Sequence, residues 1–98
     1  MLNALMPDTV VPIHQHIVTA ETFICFCGKL EEILYGREEI ANEDGIAEVT
    51  FKETACYMLC PEQGAYGMQI LVSEWHTVNV IEPSVIFEAK DGVYVPAK

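Results

Sequence analysis

The sequence predicts an all-β protein, a sandwich or closed barrel of about eight short strands. Two observations carry this. Stretches rich in Val, Ile, Phe, Tyr and Thr recur at short spacing, and Gly, Pro, Asn and Asp fall between them. Only Gly36–Asn42 offers a helical turn, and it is too short to form an element of the fold.

The predicted strands are Val10–His16, Thr22–Cys27, Leu30–Tyr35, Ala47–Lys52, Ala55–Cys60, Gly67–Val72, Thr77–Ile81 and Val85–Lys90, with Leu2–Leu5 as a further edge strand. Gly28 reads as a tight hairpin between the second and third. Asn42-Glu43-Asp44-Gly45 carries Asp-Gly turn chemistry, and Pro61-Glu62-Gln63-Gly64 reads as a loop. Glu82-Pro83-Ser84 and Asp91-Gly92 close the last two units. With 98 residues there is room for one core, so residues 1–98 are read as a single domain.

Composition narrows the function classes. Fifteen acids against five bases give a formal charge of −10. Phosphate contacts need clustered cations, so nucleic-acid binding and docking on an anionic membrane are both disfavoured. No apolar run approaches the ~20 residues that cross a bilayer, and MLNALMP lacks the basic flank of a secretory signal. The expectation is a cytoplasmic chain. Its cysteines, Cys25-x-Cys27 and Cys56-x3-Cys60, lack C-x-x-C spacing. They read first as reduced packing residues and second as redox or metal-tuning groups.

One stretch carries chemistry. Residues two apart on a strand share a face, so His14 and His16 project together, as half of a transition-metal site would. Read alone, such a pair equally suits an exposed edge strand. Glu21 follows after a gap that allows a corner, from which its carboxylate can close on the same point. His76, the third histidine of the chain, opens the strand Thr77–Ile81. If Glu21 faces inward, alternation turns Phe23, Cys25 and Cys27 inward and Ile24 and Phe26 outward. Cys25 then lies behind the ligands, as a second neighbour of the metal or as plain filler.

The run His-x-His-x4-Glu-x6-Gly, from His14 to Gly28, resembles the first motif of the cupin superfamily. The second motif is similar only in weakened form around Leu71-Val72-Ser73-Glu74-Trp75-His76. Leu71 stands for the usual proline, Ser73 for the glycine and Val80 for the asparagine, while Asp8 takes the place of the glycine that leads the first motif. Within the superfamily the chain resembles the small WbuC-type cupin-fold metalloproteins. MLNALMP, HQH, ETF, GKLEEILY, EWHTV and FEAKDGVYVP carry that likeness over nearly the whole chain. The resemblance implies a cupin jelly-roll (double-stranded β-helix) barrel and one divalent metal on His14, His16, Glu21 and His76. It also implies a polysaccharide or O-antigen context, and an N-terminal segment that is shorter or missing here.

Three imidazoles and a carboxylate suit Fe, Mn, Ni, Cu or Zn. An octahedral ion keeps two positions open for substrate, whereas a tetrahedral zinc is closed by the same four donors. The first expectation is therefore a metal-dependent enzyme acting on a small sugar-related or oxygenated molecule. The second is a non-catalytic metal- or sugar-binding module. Nucleotide-sugar epimerisation, which needs a general base and cations for a pyrophosphate, ranks third. Trp75, Lys90 and Tyr94 join Cys25 as candidates for the pocket wall, although Trp75 reads first as packing and Asp91-Gly92 beside Tyr94 as a turn. The apolar N-terminal strand offers an edge for a second copy, and a homodimer is expected.

Overall fold

A computed structural model describes residues 2–17 and 19–90. The chain is all-β and antiparallel, with five strands: β1 (Leu2–Leu5), β2 (Glu21–Ala41), β3 (Ala47–Leu59), β4 (Gly67–Ile70) and β5 (Trp75–Lys90). They form one sheet in the order β1-β5-β2-β3, and β4 pairs with β2. A 3-10 turn at Pro61–Gln63, ended by Gly64 at φ 81°, leads from β3 towards β4.

The strands are fewer and longer than the sequence suggests. Thr22–Cys27 and Leu30–Tyr35 belong to one strand, β2, which also absorbs the expected helical turn at Gly36–Asn42 as far as Ala41. Thr77–Ile81 and Val85–Lys90 likewise merge into β5, across Glu82-Pro83-Ser84. Gly28 is not a hairpin but a bend. The pairing of β2 with β5 shifts register between Cys25 and Cys27, again to Lys29, and again to Leu30. Gly28 sits there at φ 97°, and a Cβ on it would collide with backbone atoms of Pro83 and Ser84. The Lys29 amide donates to Ser84 Oγ at 3.0 Å, and that hydroxyl donates to the Glu82 carbonyl at 2.8 Å. Loss of ladder pairing is thus made good by a side chain, and both strands pass through the bend unbroken.

Val10–His16 is not a strand either. Pro12 cannot donate to a ladder, and His14 alone makes a bridge, to His76. The turn at Asn42–Gly45 does form as read: Asn42 Oδ1 accepts from the amides of Asp44 and Ile46, and Gly45 takes φ 75°. Leu2–Leu5 is an edge strand on β5, as expected.

Beyond Tyr35, β2 leaves β5 and pairs with β3 alone, from Gly36↔Lys52 to Ala41↔Ala47. This ribbon projects from the body, which accounts for the elongated 50 × 30 × 21 Å envelope. Among the described residues no pairing joins β1 to β3, so the sheet is not closed into a barrel. The core lies at the bend, where Phe23, Cys25, Leu30, Leu59, Ile70 and Ile86 bury one another, with Leu5, Met68 and Val78 packed around them. Each large apolar side chain so buried stabilises the fold by about 1.5–3 kcal/mol. No helix among the described residues is long and apolar enough to cross a membrane.

Candidate metal centre

The site forms where the segment before β2 meets the start of β5. His14 and His76 exchange both backbone hydrogen bonds, at 3.0 and 2.9 Å, and the Ser73 amide donates to the His16 carbonyl at 2.8 Å. These contacts pin His14-x-His16 against His76 although the intervening chain is not a strand. Ser73 holds φ 68°, a left-handed conformation that glycine adopts more freely.

The three imidazoles converge. Ring centroids stand 4.2 Å apart for His14 and His76, 5.2 Å for His14 and His16, and 5.5 Å for His16 and His76. One ligand nitrogen from each ring lies within 4.8 Å of the others, so the three together could hold a metal ion. Their hydrogen bonds point the same way. His14 Nδ1–H donates to the Pro12 carbonyl at 2.8 Å, and His76 Nδ1–H donates to the Glu74 carbonyl at 3.0 Å. A carbonyl only accepts, so in both rings the proton sits on Nδ1 and Nε2 presents a lone pair. His76 Nε2 is buried without a partner. An orphaned buried lone pair is costly in a protein that has no use for it.

Glu21 begins β2 at this point. It is buried, and its Oε2 lies 3.3 Å from His16 Nε2. Glu21 thus pairs with His16, but among the described residues the group whose ligand atoms converge on one point is the three histidines, without Glu21. Lys90, paired across the ladder with Glu21, brings its Nζ to 4.0 Å from the same oxygen.

Burial decides the protonation states. It drives the His76 pKa down to about 4, with the neighbouring His14 and His16 adding to the fall and the Glu74 hydrogen bond opposing it. His16 is lowered for the same first reason, and then by Lys90 and His14. Both rings are therefore neutral and able to ligate. Burial, and then Glu88, raise Glu21 to about 7, with Lys90 acting against them. A carboxyl so unfavourably placed for its own charge becomes favourable beside a divalent cation.

The donors line a cavity of about 130 Å³ whose apolar wall is Leu5, Val11, Phe23 and Val78. Two carboxyls in it, Glu32 and Glu88, have no place in the sequence reading. Glu32 faces inward beside Leu30, but in LEEILY each face of the strand carries one glutamate, so alternation alone could not select it.

Of the other candidates, Lys90 reaches the site. Cys25 packs in the core, its Sγ donating to the Cys27 carbonyl at 3.3 Å, and is not part of the cavity lining. Cys27 is exposed instead of inward, because the register shifts after Cys25 break the alternation. Ile24 and Phe26 are exposed, in line with the alternation. Trp75 packs on Phe51 with ring centroids 5.0 Å apart and does not line the cavity. Tyr94 lies outside the described residues.

A family model described as a domain of unknown function (DUF6016) matches residues 1–44, which include His14, His16, Glu21 and Glu32. No curated protein and no solved structure matches the chain.

Proposed function

We propose that this protein is a small cupin-like metalloprotein of the WbuC type that binds one divalent transition metal through His14, His16, Glu21 and His76. The observation that carries the reading is the convergence of three imidazoles, two of them with Nδ1 turned to a backbone carbonyl. The jelly-roll belongs to the proposal through the resemblance of the His14–Gly28 motif; what the described residues form is one antiparallel sheet with repeated register shifts between β2 and β5. Homodimerisation stays part of the proposal, with β1 as the edge that a second copy would extend.

The proposed activity is turnover of a small oxygenated molecule. A bound Fe, Mn, Ni, Cu or Zn ion would act as a Lewis acid towards a carbonyl or a water. The chain's own residues exclude bulk water on the Leu5, Val11, Phe23 and Val78 side and present Glu21 beside His16. A second reading, a non-catalytic binding module, draws on the four-donor set, since four donors complete a tetrahedral shell. A pyrophosphate-binding epimerase fits poorly, because among the described residues no Lys or Arg lines the pocket to hold a pyrophosphate.

The test is metal content and water count on protein purified without added metal. One equivalent per chain, lost in His14→Ala, His16→Ala and His76→Ala, supports the centre. Full occupancy in those variants rejects it. Two exchangeable waters on the bound ion favour turnover, and none favours the binding module.

A further inference from the structure

The cavity holds a polar group that metal binding does not use. Glu32 lies midway along β2, paired with Tyr57 on one side and Val78 on the other, and its side chain is 1% exposed. It lines the same cavity as the three histidines, and its Oε2 has no hydrogen-bond partner. A buried carboxyl in an apolar wall destabilises the fold unless something hydrogen-bonds to it. Its neighbour Glu31, on the opposite face, is fully engaged: Asn79 Nδ2 donates to its Oε1 at 2.8 Å and Cys56 Sγ to its Oε2 at 3.2 Å. Glu31 thus finds protein partners at the surface, whereas the Oε2 of Glu32 is enclosed without one.

We propose that Glu32 anchors the ligand of this cavity by accepting a hydrogen bond from a hydroxyl on it, so that the ligand class is compact molecules bearing a hydroxyl beside a second oxygen. The inference rests on the proposed metal centre, which would hold that second oxygen. A carboxyl offers an acceptor oxygen whether or not it carries a proton, so this role needs no particular charge state. Size sets the other limit. An apolar cavity of about 150 Å³ accommodates one benzene, so a space near 130 Å³ takes a ligand of only a few heavy atoms in its enclosed part. The smallest α-hydroxy acids and hydroxy-carbonyls meet both conditions, and their analogues without the hydroxyl leave Glu32 unpartnered. Discrimination of this kind is strong where a buried polar group is built to meet a hydroxyl.

The experiment uses the full chain loaded with Co(II), whose visible spectrum reports ligand binding without any turnover. Glycolate and acetate are titrated into the wild type, Glu32→Leu, Glu32→Ala and Glu32→Gln. The wild type is expected to prefer glycolate by about 10-fold or more. Either truncation should reduce that preference to within about twofold. Glu32→Gln, which keeps an acceptor oxygen, should retain most of it. A preference that survives truncation would come from chelation by the metal and overturns the role of Glu32. Equal affinity for both acids in a cobalt-loaded wild type overturns it as well. A wild type that takes up no cobalt removes the proposed function and this inference together, which separates the two failures.

Discussion

Glu21 and Glu32 occupy the same strand yet line the same cavity. A straight strand rising ~3.3 Å per residue would hold them about 36 Å apart. What brings them together is the bend at Gly28, where the register of β2 against β5 shifts repeatedly. Replacing Gly28 by alanine forces a side chain onto φ 97° and into the backbone of Pro83 and Ser84. The backbone term alone costs about 1–3 kcal/mol. Gly28→Ala should therefore lower the urea midpoint by at least that equivalent and weaken metal binding, although position 28 touches no proposed ligand. Gly45→Ala is the control: it too has positive φ, but open space surrounds its Cβ. It should lose stability and leave metal affinity unchanged.

Ser73 offers the opposite experiment. Its φ of 68° is one that glycine adopts freely and serine does not. Its amide donates to the His16 carbonyl, so this conformation helps to hold the histidine segment in place. Ser73→Gly relieves the left-handed strain but increases the freedom of the unfolded chain; the first effect is about 1–2 kcal/mol and the second about 0.4–1. The balance favours a gain of a few tenths to about 1 kcal/mol in chemical denaturation, with metal content unchanged. A loss of stability would show that the serine side chain contributes something its backbone conformation does not reveal.

The residue types of the site were legible, but not what assembles it. His14, His16 and His76 meet with Glu21 beside His16, yet His14-x-His16 is not in a strand, and it is the backbone bridge of His14 to His76 that brings the rings together. Strand boundaries were not legible, because Gly28 and Pro83 carry the residue types of turns. Their role as a bend depends on each other across the ladder, which no local window contains. The same long-range term misplaced Cys27, whose facing is decided by the register shifts of β2 against β5. Glu32 was missed for a different reason. A glutamate on each face of Leu30–Tyr35 left the polarity of the strand ambiguous until the cavity identified the inner one.

That ambiguity becomes a measurement. Glu31 and Glu32 are neighbours on opposite faces, one engaged by Asn79 and Cys56 and the other buried with an unpartnered oxygen. In the absence of metal and ligand, Glu32→Leu removes a desolvated carboxyl and adds apolar contact, so it should raise stability by about 1–3 kcal/mol. Glu31→Ala should lower stability by about 0.5–1.5 kcal/mol, the usual net worth of such hydrogen bonds. Urea denaturation of the two variants under chelator gives both signs directly. If Glu32→Leu is the destabilising one, its carboxyl supports the fold, and the case for a ligand-facing role loses its main support.

The pH dependence of the metal-free protein follows from the same carboxyl. Burial, then Glu21 and Glu88, raise the Glu32 pKa from its ordinary value of 4.5 to about 8. The folded state therefore holds this proton over a range where the unfolded chain has released it. Stability from this group is complete below about pH 4.5 and declines as pH rises towards 8. His76, lowered to about 4, acts in the other direction, but only below the ordinary histidine value of 6.5. Between pH 6.5 and 8 the carboxyls act without that opposition, and chelator-treated protein should lose stability as pH rises through this window. Glu32→Gln, which has no proton to lose, should flatten the slope. Thermal melts of the two proteins at half-unit steps test this, and parallel slopes would mean that Glu32 is already ionised in the folded state.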